Sequence, residues 1–127
     1  MDESRDERVL AFAVISKNGY ALRDAPEVFQ ADHEIVVSAV KQNGLALQFA
    51  SKELQADPAI VFEAVNQNGL ALAFASKANQ ADRFLVMQAL KSNGLALKFA
   101  SASLQRDREF LLEALLYQPH FGWHFFV

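Results

Sequence analysis

The sequence has no cysteine and no uninterrupted apolar stretch long enough to cross a membrane. Without cysteine, a disulfide framework, a thiolate nucleophile and a cysteine-based zinc site are all excluded, and the chain fits a reducing compartment. A transmembrane helix needs about 20 consecutive apolar residues. The charged opening MDESRDER is not followed by the apolar core of a secretory signal. We therefore expect a soluble protein, with an intracellular location favoured.

An excess of basic residues is also missing. The formal net charge is −3, and acidic and basic side chains are interspersed along the chain. Because nucleic-acid binding depends on basic surfaces that neutralise phosphates, this balance argues against a nucleic-acid partner. A hydrophobic content of 52% rules out disorder as the default, and 127 residues suffice for one domain with a real core.

The clearest positive feature is a repeated pentapeptide. Asn-Gly-Leu-Ala-Leu occurs at positions 43–47, 68–72 and 93–97, and the variant Asn-Gly-Tyr-Ala-Leu occurs at 18–22, always 25 residues apart. A fixed period of this size is typical of stacked-repeat proteins, in which each unit buries its apolar face against its neighbours. The predicted units are about 7–31, 32–56, 57–81, 82–106 and a modified C-terminal unit, 107–127.

Each unit carries signals for the start and the end of a first helix of about three turns. In the second unit, Asp32 precedes an apolar-rich stretch that closes at Asn43-Gly44. An aspartate carboxylate can accept hydrogen bonds from the free N–H groups of a first turn, and a glycine can adopt the left-handed conformation that ends a helix. In the first unit Glu7 holds the position of the cap. The other predicted caps are Asp57, Asp82 and Asp107, and the other predicted left-handed ends are Gly19, Gly69 and Gly94.

The second half of each unit admits two interpretations. Leu47, Ala50 and Leu54 follow helical spacing, whereas Leu45, Leu47 and Phe49 alternate as in a strand. The alanines favour a short second helix of two turns, and a short strand is the alternative. We predict an all-α fold, a short α-solenoid of stacked two-helix repeats. Small residues recur in the first helix, where they would let helices approach closely, at Ala39, Ala64, Ala89 and Ala114.

The repeated unit resembles a described repeat family. Its core, Asn-Gly-x-Ala-Leu-x-Phe-Ala-Ser followed by Leu-Gln-x-Asp, lies within roughly residues 5–117 and is similar to the repeat of the domain of unknown function family 4116. The resemblance implies helical repeats in tandem copies, in proteins of bacteria and single-celled eukaryotes, with no activity or catalytic residue assigned to the family. The first unit departs from the pattern at Asp24 and Pro26, where other units have phenylalanine and serine. Asn79 stands where the other units have leucine or phenylalanine.

Residues able to perform chemistry are few, or they recur with the unit. His120 and His124 have the spacing of a helical metal pair, but Pro119 and Gly122 disfavour a helix there and no third ligand is evident. Serines and capping aspartates recur in successive units, as structural residues do and a single catalytic centre does not. The repeated glutamines suggest hydrogen bonds to backbone between units, with a ligand-binding ladder as the alternative: Gln30, Gln55, Gln80 and Gln105. We expect no enzymatic activity, no cofactor and no metal.

Recognition is expected where the units differ and at the C-terminal end. The aromatic residues Phe121, Trp123, Phe125 and Phe126 either cap the last unit, dock into a partner protein or contact a membrane boundary. We expect a non-enzymatic protein-interaction module, or an accessory structural subunit of a larger assembly. The alternative is groove binding of a small molecule or nucleic acid. The variable surface positions are Ser38, Glu63, Gln88 and Glu113; Lys41, Asn66 and Lys91; and Gln48, Ala73 and Lys98.

Overall fold

The computed structural model describes residues 3–117, and every regular element in that range is helical. Five long α-helices are α1 (Glu3–Lys17), α3 (His33–Gln42), α5 (Pro58–Gln67), α7 (Arg83–Ser92) and α9 (Arg108–Tyr117). Each of the first four is followed by a 3-10 helix, namely η1 (Gly19–Asp24), η2 (Gly44–Phe49), η3 (Gly69–Phe74) and η4 (Gly94–Phe99). A one-turn α-helix then completes the unit, namely α2 (Glu27–Gln30), α4 (Lys52–Gln55), α6 (Lys77–Gln80) and α8 (Ala102–Gln105). The all-α prediction is confirmed, and the strand alternative is wrong for this part of the chain.

The units pack in the order of the sequence. Each long helix contacts the next, from α1 through α3, α5 and α7 to α9, and the 3-10 helices contact one another in the same order. The molecule therefore has a row of long helices beside a row of 3-10 and one-turn helices. This arrangement is compatible with the predicted short α-solenoid, because each unit finds its packing partners in the adjacent units.

The predicted aspartate caps are confirmed. Asp82 accepts hydrogen bonds from the backbone N–H groups of Phe84 and Leu85, at 2.9 and 3.2 Å. The first unit differs, because α1 begins at Glu3 and Glu7 therefore lies inside the helix. The prediction that Glu7 holds the cap is wrong. The equivalent first-turn N–H groups of the other units donate to Asp32, Asp57 and Asp107.

The prediction of left-handed glycines is also wrong. Among the described residues none has a positive φ. Asn43 ends α3 and caps η2, since its Oδ1 accepts from the N–H of Leu45 at 3.1 Å. Gly44 follows and lies so close to α5 that a Cβ atom there would overlap the carbonyl oxygen of Ala64. The glycine is therefore required by close approach between units, and Gly19 and Gly69 have the same environment.

The second half of the unit is divided where a single two-turn helix was predicted. The 3-10 helix η2 ends at Phe49, Ala50 is extended, and Ser51 caps α4 by accepting from the N–H of Leu54 at 3.3 Å. The N–H of Ser51 donates to the carbonyl oxygen of Gln30 in the preceding unit at 2.9 Å. The serine thus starts a helix and also joins two units, and the equivalent bonds of Ser76 and Ser101 measure 3.0 and 2.8 Å.

The core lies between the two rows. The small residues that recur in the long helices are fully buried, namely Ala39, Ala64, Ala89 and Ala114. No helix within residues 3–117 combines the length and the apolarity needed to span a bilayer. The residues of α3 and η2 that are completely buried are Ile35, Val36, Ala39, Val40, Ala46 and Leu47.

Candidate interaction surfaces

An exposed aromatic residue lies on the fourth of the five long helices. Phe84 occupies the first turn of α7, directly after the Asp82 cap, and 60% of it is exposed. Its ring stacks on that of Phe62 from α5, with centroids 5.7 Å apart and planes at 9°. The stack fixes the Phe84 ring against the helix surface, so that one of its faces remains open to solvent.

Phe84 separates two shallow grooves that lie between adjacent long helices, and it lines both. The groove between α5 and α7 has a volume of about 400 Å³ and the groove between α7 and α9 about 370 Å³. The first also includes Pro58, Ala59, Phe62, Glu63, Asp82 and Leu85. The second also includes Arg83, Met87, Gln88, Lys91, Phe110 and Glu113. We call these two grooves together the Phe84 groove.

One wall of the Phe84 groove is held by an ion pair between units. Arg83 Nη1 lies 2.5 Å from Asp107 Oδ2, and the guanidinium carbon lies 5.4 Å from the centre of the Phe110 ring. The pKa of Asp107 is lowered from its ordinary value, first by the backbone N–H of Phe110 and then by the hydrogen bond from Arg83. Arg83 is thereby held flat along the groove, and its aliphatic stem adds to the apolar surface.

Similar pairs join other units along the N-terminal ends of the long helices. Arg8 Nε lies 2.7 Å from Asp32 Oδ2, and this contact is the largest cause of the lowered pKa of Asp32. His33 Nε2 lies 3.7 Å from Asp57 Oδ2. Pro58 holds the equivalent position in the third unit and has no charge to contribute. These aspartates cap helices and pair with the preceding unit, which is a structural role.

A second groove lies on the row of 3-10 and one-turn helices. Its volume is about 610 Å³. The Gln55 amide in it is already engaged, since its Nε2 donates to the carbonyl oxygens of Leu47 and Gln48 at 3.0 and 3.3 Å. The predicted glutamine bonds to backbone are therefore present, but they lie within a unit instead of between units. The lining residues are Gln48, Lys52, Gln55, Ala73, Phe74, Ala75, Ser76 and Lys77, so this groove is the more polar of the two surfaces.

Comparison with known proteins gives one match. A family model described as Domain of unknown function (DUF4116) matches three times, over residues 10–55, 32–79 and 82–122. The matches together cover most of the sequence. The chain belongs to the DUF4116 family. No curated protein matches the chain, and no solved structure matches it.

The two DUF4116 matches that lie wholly within residues 3–117, over residues 10–55 and 32–79, each correspond to almost two structural units. The match over residues 32–79 begins at the Asp32 cap, contains α3, η2, α4, α5 and η3, and ends inside α6. Two units are also the smallest set that contains a complete interface, because the Ser76 N–H, the Gly44 backbone and the buried alanines all contact an adjacent unit. The structure thus gives a physical reason for a family match of this length.

Several of the variable positions predicted from the sequence line the Phe84 groove or the second groove. Glu63, Gln88, Lys91 and Glu113 line the Phe84 groove, and Gln48 and Ala73 line the second groove. Lys98 lies over the ring of Phe99, at 5.1 Å from its centre. The predicted partner-binding residues Phe121, Trp123, Phe125 and Phe126 lie outside the described residues, as do His120 and His124. Within residues 3–117, no group of three or more His, Cys, Asp or Glu residues could hold a metal ion.

Phe84 is not among the residues predicted from the sequence. Its position in the 25-residue unit is occupied by Val9, Glu34, Ala59 and Glu109 in the other units. A lone aromatic residue where most neighbouring units have glutamate or alanine is the signal that could have revealed it. Arg83 was missed for a different reason, since its pairing with Asp107 depends on how two units stack.

Proposed function

We propose that this DUF4116 chain is a non-enzymatic protein-interaction module, and that a partner protein binds in the Phe84 groove. The observation that supports the proposal is the exposed Phe84 ring, stacked on Phe62 between two grooves. Aromatic residues, phenylalanine among them, are enriched in protein interfaces relative to the rest of the protein surface.

The composition of the groove suits a protein ligand. Phe84 supplies its exposed apolar surface, whereas Met87 and Phe110 are only 8% and 1% exposed, and charged and amide side chains of both signs line the part beside α9. An apolar centre with a polar rim is the usual anatomy of a protein interface. Because the two grooves lie side by side between α5, α7 and α9, an amphipathic helix or an extended segment of the partner could contact three units at once.

The experiment compares two substitutions at equally exposed apolar residues. Phe84→Asp places a charge in the groove, and Leu95→Asp places one on η4; the two side chains belong to residues that are each 60% exposed. Each variant and the wild type serve as bait in lysate of the native source, and recovered proteins are quantified by mass spectrometry. We expect a partner that the wild type and Leu95→Asp recover alike and that Phe84→Asp loses. The captured partner is then expressed and its Kd measured against all three baits.

A wild-type bait that recovers nothing beyond what Phe84→Asp recovers would overturn the proposal. Circular dichroism and thermal melting of both variants separate loss of binding from loss of folding. If the recovered ligand is a nucleic acid or a small molecule, the groove-binding alternative replaces the protein-interaction function.

The C-terminal aromatic residues remain a second predicted contact. Deletion of residues 120–127 should reduce partner recovery if Phe121, Trp123, Phe125 and Phe126 bind the partner. If they cap the last unit instead, the deletion should lower the melting temperature by several degrees. Combining the deletion with Phe84→Asp then shows whether both segments contact the same partner, because effects on one interface can be compared by a double-mutant cycle.

A further inference from the structure

The first unit presents an apolar end face that points away from the second unit. Leu10 and Val14 of α1 are 67% and 58% exposed. In the following units the residues at these two positions are buried against the preceding unit, as Ile35 and Ala39 are. A groove of about 350 Å³ runs along this face, lined by Leu10, Ala11, Val14, Ile15, Ala21, Asp24, Ala25 and Pro26.

This end face is not shaped for another unit stacked in the usual way. Elsewhere the glycine of one unit lies against the carbonyl of a buried alanine in the next, as Gly19 does with Ala39. Val14 takes the place of that fully buried alanine and carries two more methyl groups. The repeat also needs a serine N–H that donates to the preceding unit, and Pro26 stands at this position without an N–H. The groove therefore fits a different occupant.

The exposed side of α1 is complementary to a second copy of itself. Glu7, Leu10, Val14 and Lys17 are spaced by three, four and three residues, the pattern that forms one stripe of a helix pair. All four are exposed. If two α1 helices lie antiparallel, Leu10 faces Val14 of the other helix, and Glu7 faces its Lys17. Ala11 and Ala13 flank the stripe and are small enough for the helices to come close.

We propose that a second copy of this chain docks on this end face, with the two α1 helices antiparallel across a two-fold axis. The contact is isologous, since each copy contributes the same stripe to the other. The apolar residues drive association, and the two symmetry-related Glu7–Lys17 pairs select the antiparallel orientation, because exposed ion pairs add little affinity by themselves. The proposal concerns a surface separate from the Phe84 groove and is independent of the function proposed above.

Association is tested by sedimentation equilibrium of the full chain over a concentration series. We expect a monomer–dimer equilibrium for the wild type and for the control Leu95→Glu, and a monomer for Leu10→Glu. Leu10 is mostly exposed, so this variant should keep its helical circular dichroism and melting temperature. A wild type that stays monomeric at every concentration, or a dimer that Leu10→Glu leaves intact, overturns the proposal.

The orientation is tested by charge reversal and by cross-linking. Glu7→Lys and Lys17→Glu should each weaken the dimer about tenfold, because each replaces two attractive contacts by repulsive ones, and the double variant should recover the wild-type Kd. Since the chain has no cysteine, introduced thiols report only on their own contacts. An equimolar mixture of Leu10→Cys and Val14→Cys should form the mixed disulfide faster than either like pair. Faster like-pair formation, or no recovery in the double variant, contradicts the antiparallel arrangement.

Discussion

The carbonyl oxygen of Ala89 occupies the space that a Cβ atom on Gly69 would need. The two residues belong to adjacent units, so their contact sets how closely η3 approaches α7. We expect Gly69→Ala and Gly69→Val to lower the free energy of unfolding by about 1–3 kcal/mol or more, because the added atoms push the two units apart. Urea denaturation of each variant measures this loss.

Gly69→Asn distinguishes a steric requirement from a conformational one. Asparagine tolerates the left-handed backbone better than other non-glycine residues, so it would be nearly neutral at a left-handed helix end. Because Gly69 has no positive φ, we expect Gly69→Asn to destabilise as strongly as Gly69→Ala. Near-wild-type stability of Gly69→Asn would contradict the steric explanation.

The stability of the fold should depend on the hydrogen bond between the Gly44 N–H and a side chain of the next unit. It donates to Gln67 Oε1 at 2.6 Å, and in the following unit Gly69 donates to Ser92 Oγ at 2.9 Å. Gln67→Ala leaves the N–H of a buried glycine without its acceptor, and we expect a loss of about 1–2 kcal/mol in unfolding free energy. Gln67→Ser is the matched control, because Ser92 accepts the equivalent hydrogen bond from Gly69. This variant should recover part of the lost stability. Equal stability of the two variants would show that the bond contributes nothing.

Asn79 should be replaceable by leucine with a gain in stability. Only 6% of this residue is exposed, and its Nδ2 makes one long bond of 3.4 Å to the Gln55 carbonyl oxygen. That oxygen still accepts from the Ser76 N–H after the substitution. Asn79→Leu adds apolar burial of the kind Leu104 already provides, and we expect a gain of about 0.5–2 kcal/mol in unfolding free energy. The reverse change, Leu104→Asn, should destabilise; if Asn79→Leu also does, the amide has a role beyond packing.

The two arginine–aspartate pairs should respond differently to loss of the arginine. The pKa of Asp32 is lowered chiefly by Arg8, whereas the pKa of Asp107 is lowered first by a backbone N–H and only then by Arg83. We therefore expect Arg8→Met to raise the pKa of Asp32 more than Arg83→Met raises that of Asp107. Carboxyl carbon chemical shifts followed through an acid titration give both values, and the opposite order would contradict the assignment of causes.

The same lowered pKa values define the pH range of their effect on stability. A carboxyl group whose pKa is lower in the folded than in the unfolded chain stabilises the fold. The stabilisation is fully present at pH values above the ordinary pKa of 3.8. This contribution is lost as the pH falls through the folded pKa. Unfolding free energy of the wild type should therefore fall at acid pH, and it should fall less steeply when both arginines are replaced by methionine.

The residues of the Phe84 groove were predicted only in part from the sequence. The variable positions Gln88 and Glu113 were predicted as surface and do line the Phe84 groove. Phe84 itself could not be assigned from its spacing, because an apolar residue early in a helix is as consistent with the core as with the surface. Its exposure follows from the direction in which α7 packs on α5, which is a non-local contact.

The 25-residue period, the helical character of the long segments and the aspartate that starts α3, α5, α7 and α9 were all predictable from the sequence. Each of these features depends on interactions between residues that are close in the sequence, and such interactions can be predicted from the sequence pattern. Three features became evident from the packing of the units: the close approach at Gly44, the hydrogen bond from Ser51 to the preceding unit, and the exposure of Phe84 between two grooves. These three depend on which backbone and side-chain atoms of the neighbouring unit lie alongside, and stacking alone brings those atoms together.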